Sequence, residues 1–80
     1  MMVTIKYFGA VTDITKKKEE QLSLNAALNS INSIQKILEE QYPELRNINY
    51  RFAVNQSIAS EDVALNDQDE IALLPPFAGG

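Results

Sequence analysis

The sequence predicts an α+β fold, a mixed sheet of four to five strands with one main helix across one face. Three observations lead there. Segments of alternating apolar character open and close the chain, at residues 3–8 and 70–74. One stretch, residues 31–42, repeats its apolar side chains at helical spacing. A single helix covers only one face of a sheet, so a two-layer arrangement follows.

Val3-Thr4-Ile5-Lys6-Tyr7-Phe8 alternates with period two, placing Val3, Ile5 and Tyr7 on one face and Thr4, Lys6 and Phe8 on the other. Gly9 breaks the strand, and residues 10–18 read as a connection with a short helical turn near Val11–Lys16. Glu19–Leu24 reads as a second strand, Leu22 and Leu24 inward, so that residues 9–24 complete a wide hairpin. Ser30 is an N-cap candidate. After it Ile31, Ile34, Ile37, Leu38 and Tyr42 form one stripe of a helix. Pro43 stops that helix, because a residue before proline avoids the helical region. Residues 44–49 then read as a loop. Tyr50–Asn55 alternates again with Phe52 and Val54 inward, Asn55-Gln56-Ser57 suits a turn, and Ile58-Ala59 is long enough for a brief pairing. Asn66-Asp67-Gln68-Asp69 is a polar turn. Glu70–Leu74 is the last strand, Ile71 and Leu73 inward, and the two apolar end strands suit the centre of the sheet.

Composition removes several function classes. The 80 residues make one small domain, which buries only about 60–65% of its unfolded surface. There is no cysteine and no histidine, so disulfides, thiolate nucleophiles and the usual zinc sites are excluded. The net charge of −4 disfavours nucleic acid, whose phosphates need clustered cations. Lys16-Lys17-Lys18, followed at once by Glu19-Glu20, reads as a solvated turn. No apolar run approaches the roughly 20 residues of a membrane span. The N-terminus has no signal-peptide pattern, and the expected compartment is the cytoplasm. No convergent acid–base pair or phosphate-binding motif stands out, so a free-standing enzyme is not expected.

The final eight residues, Leu73-Leu74-Pro75-Pro76-Phe77-Ala78-Gly79-Gly80, are the most informative. Pro75-Pro76 withholds two backbone donors and favours an extended exit from the sheet. Phe77 is an apolar hook. Gly79-Gly80 has no side chains and suits a narrow channel. The reactive group is then the Gly80 α-carboxylate, which needs activation, for instance as a mixed anhydride with AMP. Period-two counting also places Phe8, Ile58 and Leu74 away from the helix. It leaves open whether they form an exposed patch, as partner surfaces do, or curl over the sheet edge into the core.

Five pieces carry a resemblance: the opening strand ending in Tyr7-Phe8; the helix closing on Tyr42-Pro43; Ala53-Val54-Asn55-Gln56; Leu65, Asp67 and Asp69-Glu70; and Pro75-Pro76-Phe77-Ala78-Gly79-Gly80. With them the chain resembles the small, sulfur-carrier subunits of molybdopterin synthase, ubiquitin-like β-grasp proteins of molybdenum cofactor biosynthesis. The resemblance implies a β-grasp domain over residues 1–75 and a flexible tail over 76–80. It implies that an ATP-dependent activating enzyme adenylates Gly80 and that a sulfur donor protein converts it to a thiocarboxylate. The large synthase subunit then receives the tail, and sulfur passes to cyclic pyranopterin monophosphate within a heterotetramer. The chain itself would hold no metal and no cofactor. Phe8, Ile58 and Leu74 match the family's apolar contact positions, and Pro75, Pro76, Phe77, Ala78 and Gly79 would guide the tail. Gln68 stands where the family often has glycine, which argues against a left-handed residue there. The competing readings are a sulfur carrier for thiamine thiazole or tRNA thiolation, a protein modifier joined through Gly80, and a β-grasp module with an inert tail.

Overall fold

The structure is a computed structural model that describes residues 1–25, 27, 29–59 and 62–75. Among these residues the chain forms, in order, β1 (Met2–Tyr7), α1 (Ala10–Thr15), β2 (Glu19–Ser23), α2 (Ile31–Gln41), a 3-10 helix (Pro43–Asn47), β3 (Arg51–Val54), β4 (Ser57–Ala59) and β5 (Glu70–Leu74). The strands make one sheet in the order β2-β1-β5-β3-β4. β1 and β5 lie side by side and parallel, Ile5 opposite Ile71 and Tyr7 opposite Leu73. Every other pairing is antiparallel.

Alternation decides which side chains meet α2. Val3, Ile5 and Tyr7 from β1, Ile71 and Leu73 from β5, and Phe52 from β3 are buried on the helix side. Ile31, Ile34 and Leu38 of α2 close over them, and Leu24, Leu45 and Leu65 seal the margins. Burying one such side chain contributes about 1.5–3 kcal/mol, so this single layer is the main source of stability.

The ends of α2 form as the sequence indicates. Ser30 is extended, and its hydroxyl accepts from the Ser33 N–H at 3.3 Å. Asp62 supplies a second acceptor, taking the Asn32 N–H at 2.9 Å, and its charge suits a helix N-terminus. The Tyr42 N–H closes the last turn on the Leu38 carbonyl at 2.7 Å, immediately before Pro43.

Two expectations are corrected. Residues 44–49, read as a loop, belong largely to the 3-10 helix over Pro43–Asn47. Proline at a first helical position is preset for helical φ, and the turn it starts drives Leu45 wholly into the core. Gln68 is left-handed after all, with φ 70°. Its N–H donates to the Met2 carbonyl at 2.7 Å, and that bond holds a conformation glycine adopts without help.

The same turn is part of a polar clasp. Asn55 and Gln56 form a two-residue hairpin loop at φ 49° and 73°, the mirror-type turn that matches strand twist. The Asn55 side chain donates to Asp69 at 2.9 Å and accepts from the Glu70 N–H at 3.0 Å. The second Asp69 oxygen accepts from the Asn66 N–H at 2.8 Å, and Asp67 takes the Met2 N–H at 2.8 Å. Both motifs picked out in the sequence, around Asn55 and around Asp67–Glu70, therefore build one structural joint.

Candidate functional site

The outer face of the sheet is the face α2 does not cover. Register fixes its contents. Lys6, Ala72, Ala53 and Ile58 run across β1, β5, β3 and β4 in one row. Leu74 and Arg51 are partners in the next row, and Phe8 continues β1 beside them, its N–H donating to the Leu73 carbonyl at 3.2 Å. Phe8 is 44% exposed and Ile58 48%. Leu74 is half-buried. The three side chains stay on the outer face instead of curling into the core. Adjacent strands lie about 4.8 Å apart, so Phe8 and Ile58, three strands apart, frame a surface about 14 Å wide. In the Ile58 row the intervening strands carry only Ala72 and Ala53, which add no bulk, while Leu74 and Arg51 stand in the Phe8 row.

The tail leaves from the edge of this surface. Pro75, half-buried, packs over Gly9. Gly9 has φ +57°, and a Cβ placed there would stand 3.0 Å from the proline ring. Glycine at the end of β1 thus both turns the chain and gives the tail root a seat. Pro76, Phe77, Ala78, Gly79 and Gly80 lie outside the described residues, as does the expected flexible tail they make up.

On the helix side of the same corner, Tyr7 and Tyr42 both donate to one oxygen of Glu20, Tyr42 at 2.8 Å. Lys17 meets the other oxygen at 3.3 Å, and the two rings pack edge to face at 6.2 Å. Burial and the Glu20 carboxylate push the Tyr7 and Tyr42 hydroxyls up. Burial opposes the Glu20 charge, but the two hydroxyls and Lys17 outweigh it and hold its carboxyl below the usual range. Tyr50 makes a matching bond to Glu39 at 2.6 Å, and burial with that bond raises its pKa. These clusters fix the residues next to Phe8 and Arg51. Among the described residues no group of acidic side chains is arranged to hold a metal ion. No helix of these residues is long and apolar enough to cross a membrane.

Sequence reasoning placed Phe8, Ile58 and Leu74 on the face away from the helix, where the structure has them, and missed Gly9 as the seat of Pro75. Its signal was a glycine in direct succession to an exposed aromatic, legible only once β5 is placed beside β1. The groove beside Phe8, lined by Lys6, Gly9, Thr12, Lys18 and Glu19, was missed as well.

A mixed sheet with parallel first and last strands at its centre and one main helix across one face defines a ubiquitin-like β-grasp protein. The ThiS family profile matches residues 5–80, and the chain belongs to that family. It is 36% identical to the molybdopterin synthase sulfur carrier subunit of Mycobacterium tuberculosis, across 98% of this chain and 96% of that one. Subunit 1 in the solved complex of subunits 1 and 2 of the molybdopterin-converting factor from Helicobacter pylori matches with a TM-score of 0.73 at 26% identity, over all of both chains. SAMP1 of Haloferax volcanii, a small archaeal modifier protein, shares the fold with a TM-score of 0.80 at 19% identity, again over all of both chains.

Proposed function

We propose that this chain is the sulfur-carrier subunit of a molybdopterin synthase. The near full-length 36% identity to the mycobacterial carrier carries the reading. The geometry agrees with it, since an exposed apolar surface borders the root of the tail and the buried polar groups serve the fold. In this reading the chain is a cosubstrate, not an enzyme on its own. A Gly80 carboxylate oxygen attacks the α-phosphorus of ATP on a separate activating enzyme, and pyrophosphate leaves. A persulfide sulfur from a donor protein then attacks the acyl carbon, AMP leaves, and cleavage of the sulfur–sulfur bond by a reductant frees the thiocarboxylate. Phe8, Ile58 and Leu74 anchor the body on the large subunit. Pro75 to Gly79 lead Gly80 to cyclic pyranopterin monophosphate, and two such deliveries make the dithiolene.

The test combines the chain, MgATP, the activating enzyme of the same source and a sulfide donor, and reads the product with a thiocarboxylate-selective tag. The tag is needed because exchanging oxygen for sulfur nearly equals the mass gain of oxidising Met1 or Met2. A tagged C-terminal peptide, absent when Gly80 is deleted, is the expected result. Dithiolene formation after adding the pyranopterin and the large subunit separates this pathway from thiazole or tRNA thiolation. The fold shared with SAMP1 favours one second reading, a modifier. That reading gains if the activated carboxylate goes to a lysine amine and no tag appears.

A further inference from the structure

We infer that the lysine-bearing groove beside Phe8 receives an acidic segment of the activating enzyme, and that this contact orients the carrier on approach. The inference rests on the sulfur-carrier reading. The groove is an open depression of about 440 Å³ between the end of β1 and the start of β2, lined by Lys6, Phe8, Gly9, Thr12, Lys18 and Glu19. Its position is the first argument. Gly9 belongs to the groove and also seats Pro75, so a partner that swallows the tail lies against it.

Charge is the second argument. The chain has 11 acidic and 7 basic residues. Lys6, Lys18 and Arg51 nevertheless stand around Phe8 and Leu74, with Lys16 and Lys17 in the turn that leads to Lys18. Lys6 is shared with Glu70 at 3.5 Å, and Lys17 with Glu20 at 3.3 Å. Lys16, Lys18 and Arg51 make no ion pair among the described residues. Glu39, Glu40 and Glu44 lie on the helical layer, whereas the outer face carries Glu70, which is shared with Lys6, and Glu19. The outer face is thus the less negative side of a negative protein, and its one acid in the groove is Glu19. A partner that is acidic there gains at this face and repels the helical layer, which sets orientation and speeds encounter. The lysine run that reads as a solvated turn becomes part of the approach surface.

The test measures initial rates of tagged thiocarboxylate with the activating enzyme, across carrier concentrations, at about 10 mM and about 300 mM salt, where the screening length falls from about 30 Å to well under 10 Å. Lys18→Glu combined with Arg51→Glu is compared with Lys36→Glu on the far face of α2 and with wild type, each checked for native circular dichroism. At low salt the double variant is expected to lose about tenfold or more in kcat/KM with kcat retained, the loss shrinking at high salt, as fits a contact that acts on encounter. Lys36→Glu is expected to stay within about twofold. A double variant that matches wild type, or a loss independent of salt, overturns the inference while leaving the carrier reading intact. If wild type itself forms no thiocarboxylate, the carrier reading fails and this inference falls with it.

Discussion

Leu73 and Leu74 are adjacent, identical in chemistry and opposite in fate. Leu73 is wholly buried beneath α2, between Tyr7 and Phe52 in the register. Leu74 points to the outer face beside Phe8 and is half-buried. Tyr7 and Phe8 repeat the contrast one strand away, 3% and 44% exposed. The inner face spends its apolar side chains on cohesion; the outer face leaves a few uncovered, next to the tail root. A sheet covered on one side sorts neighbouring apolar side chains into buried and exposed simply by alternation.

The largest effect comes from breaking the inner member of the pair. Leu73→Ala is expected to cost about 2–5 kcal/mol through lost burial and a residual cavity. In a domain of this size that lowers Tm by well over about 10 °C, which calorimetry reads directly. Leu74→Ala is expected to cost less than about 1 kcal/mol, and so is Phe8→Ala. Both should instead weaken binding to the large subunit, read as a higher carrier concentration for half-maximal dithiolene formation. Equal stability losses at positions 73 and 74 would dissolve the contrast.

A smaller effect is expected at the clasp. Asn55→Ala removes the donor to Asp69 and the acceptor for the Glu70 N–H, leaving a buried carboxylate short of a partner. A cost of about 1–3 kcal/mol follows. Asn55→Gly keeps the φ of 49° accessible and isolates the hydrogen bonds from backbone strain. Urea unfolding of the two variants separates the contributions.

The smallest effects lie in the pH profile. Glu20 titrates lower when folded, so its contribution is complete above the ordinary carboxylate pKa of about 4.3 and is lost as pH falls through the folded value. Tyr7, Tyr42 and Tyr50 titrate higher when folded. Above about pH 10 the unfolded chain releases their protons while the folded one keeps them, and stability falls as pH rises. Thermal melts should therefore show losses at both extremes. Glu20→Gln should flatten the acid limb and Tyr7→Phe the alkaline limb.

These contrasts also explain what could be read in advance. The strands, the cap at Ser30, the stop at Pro43 and the outer positions of Phe8, Ile58 and Leu74 all follow from short-range periodicity or local backbone rules. What escaped depends on residues far apart in the chain. Glu20 sits in a charged run that reads as solvent-facing, yet it binds tyrosines 13 and 22 positions away. Ala53 faces outward by alternation and is still 4% exposed, flanked by Ile58 and Ala72 from other strands. Gly9 reads as a break, and its role as a seat appears only when Pro75 arrives beside it. Gln68 looked wrong for a left-handed site because its bond to Met2 spans nearly the whole chain.

The central place of β5 has a consequence for how the protein comes into being. β1 waits beside an empty position until residues 70–74 have been made, because its parallel neighbour is the last strand. Closing so long a loop is a late, entropically costly step in folding. A nascent chain interrupted before Glu70 lacks both the middle of its sheet and the Leu73 that seals the core. On the proposed sulfur-carrier reading, Gly80 would therefore be offered for activation only on a body whose assembly is already complete.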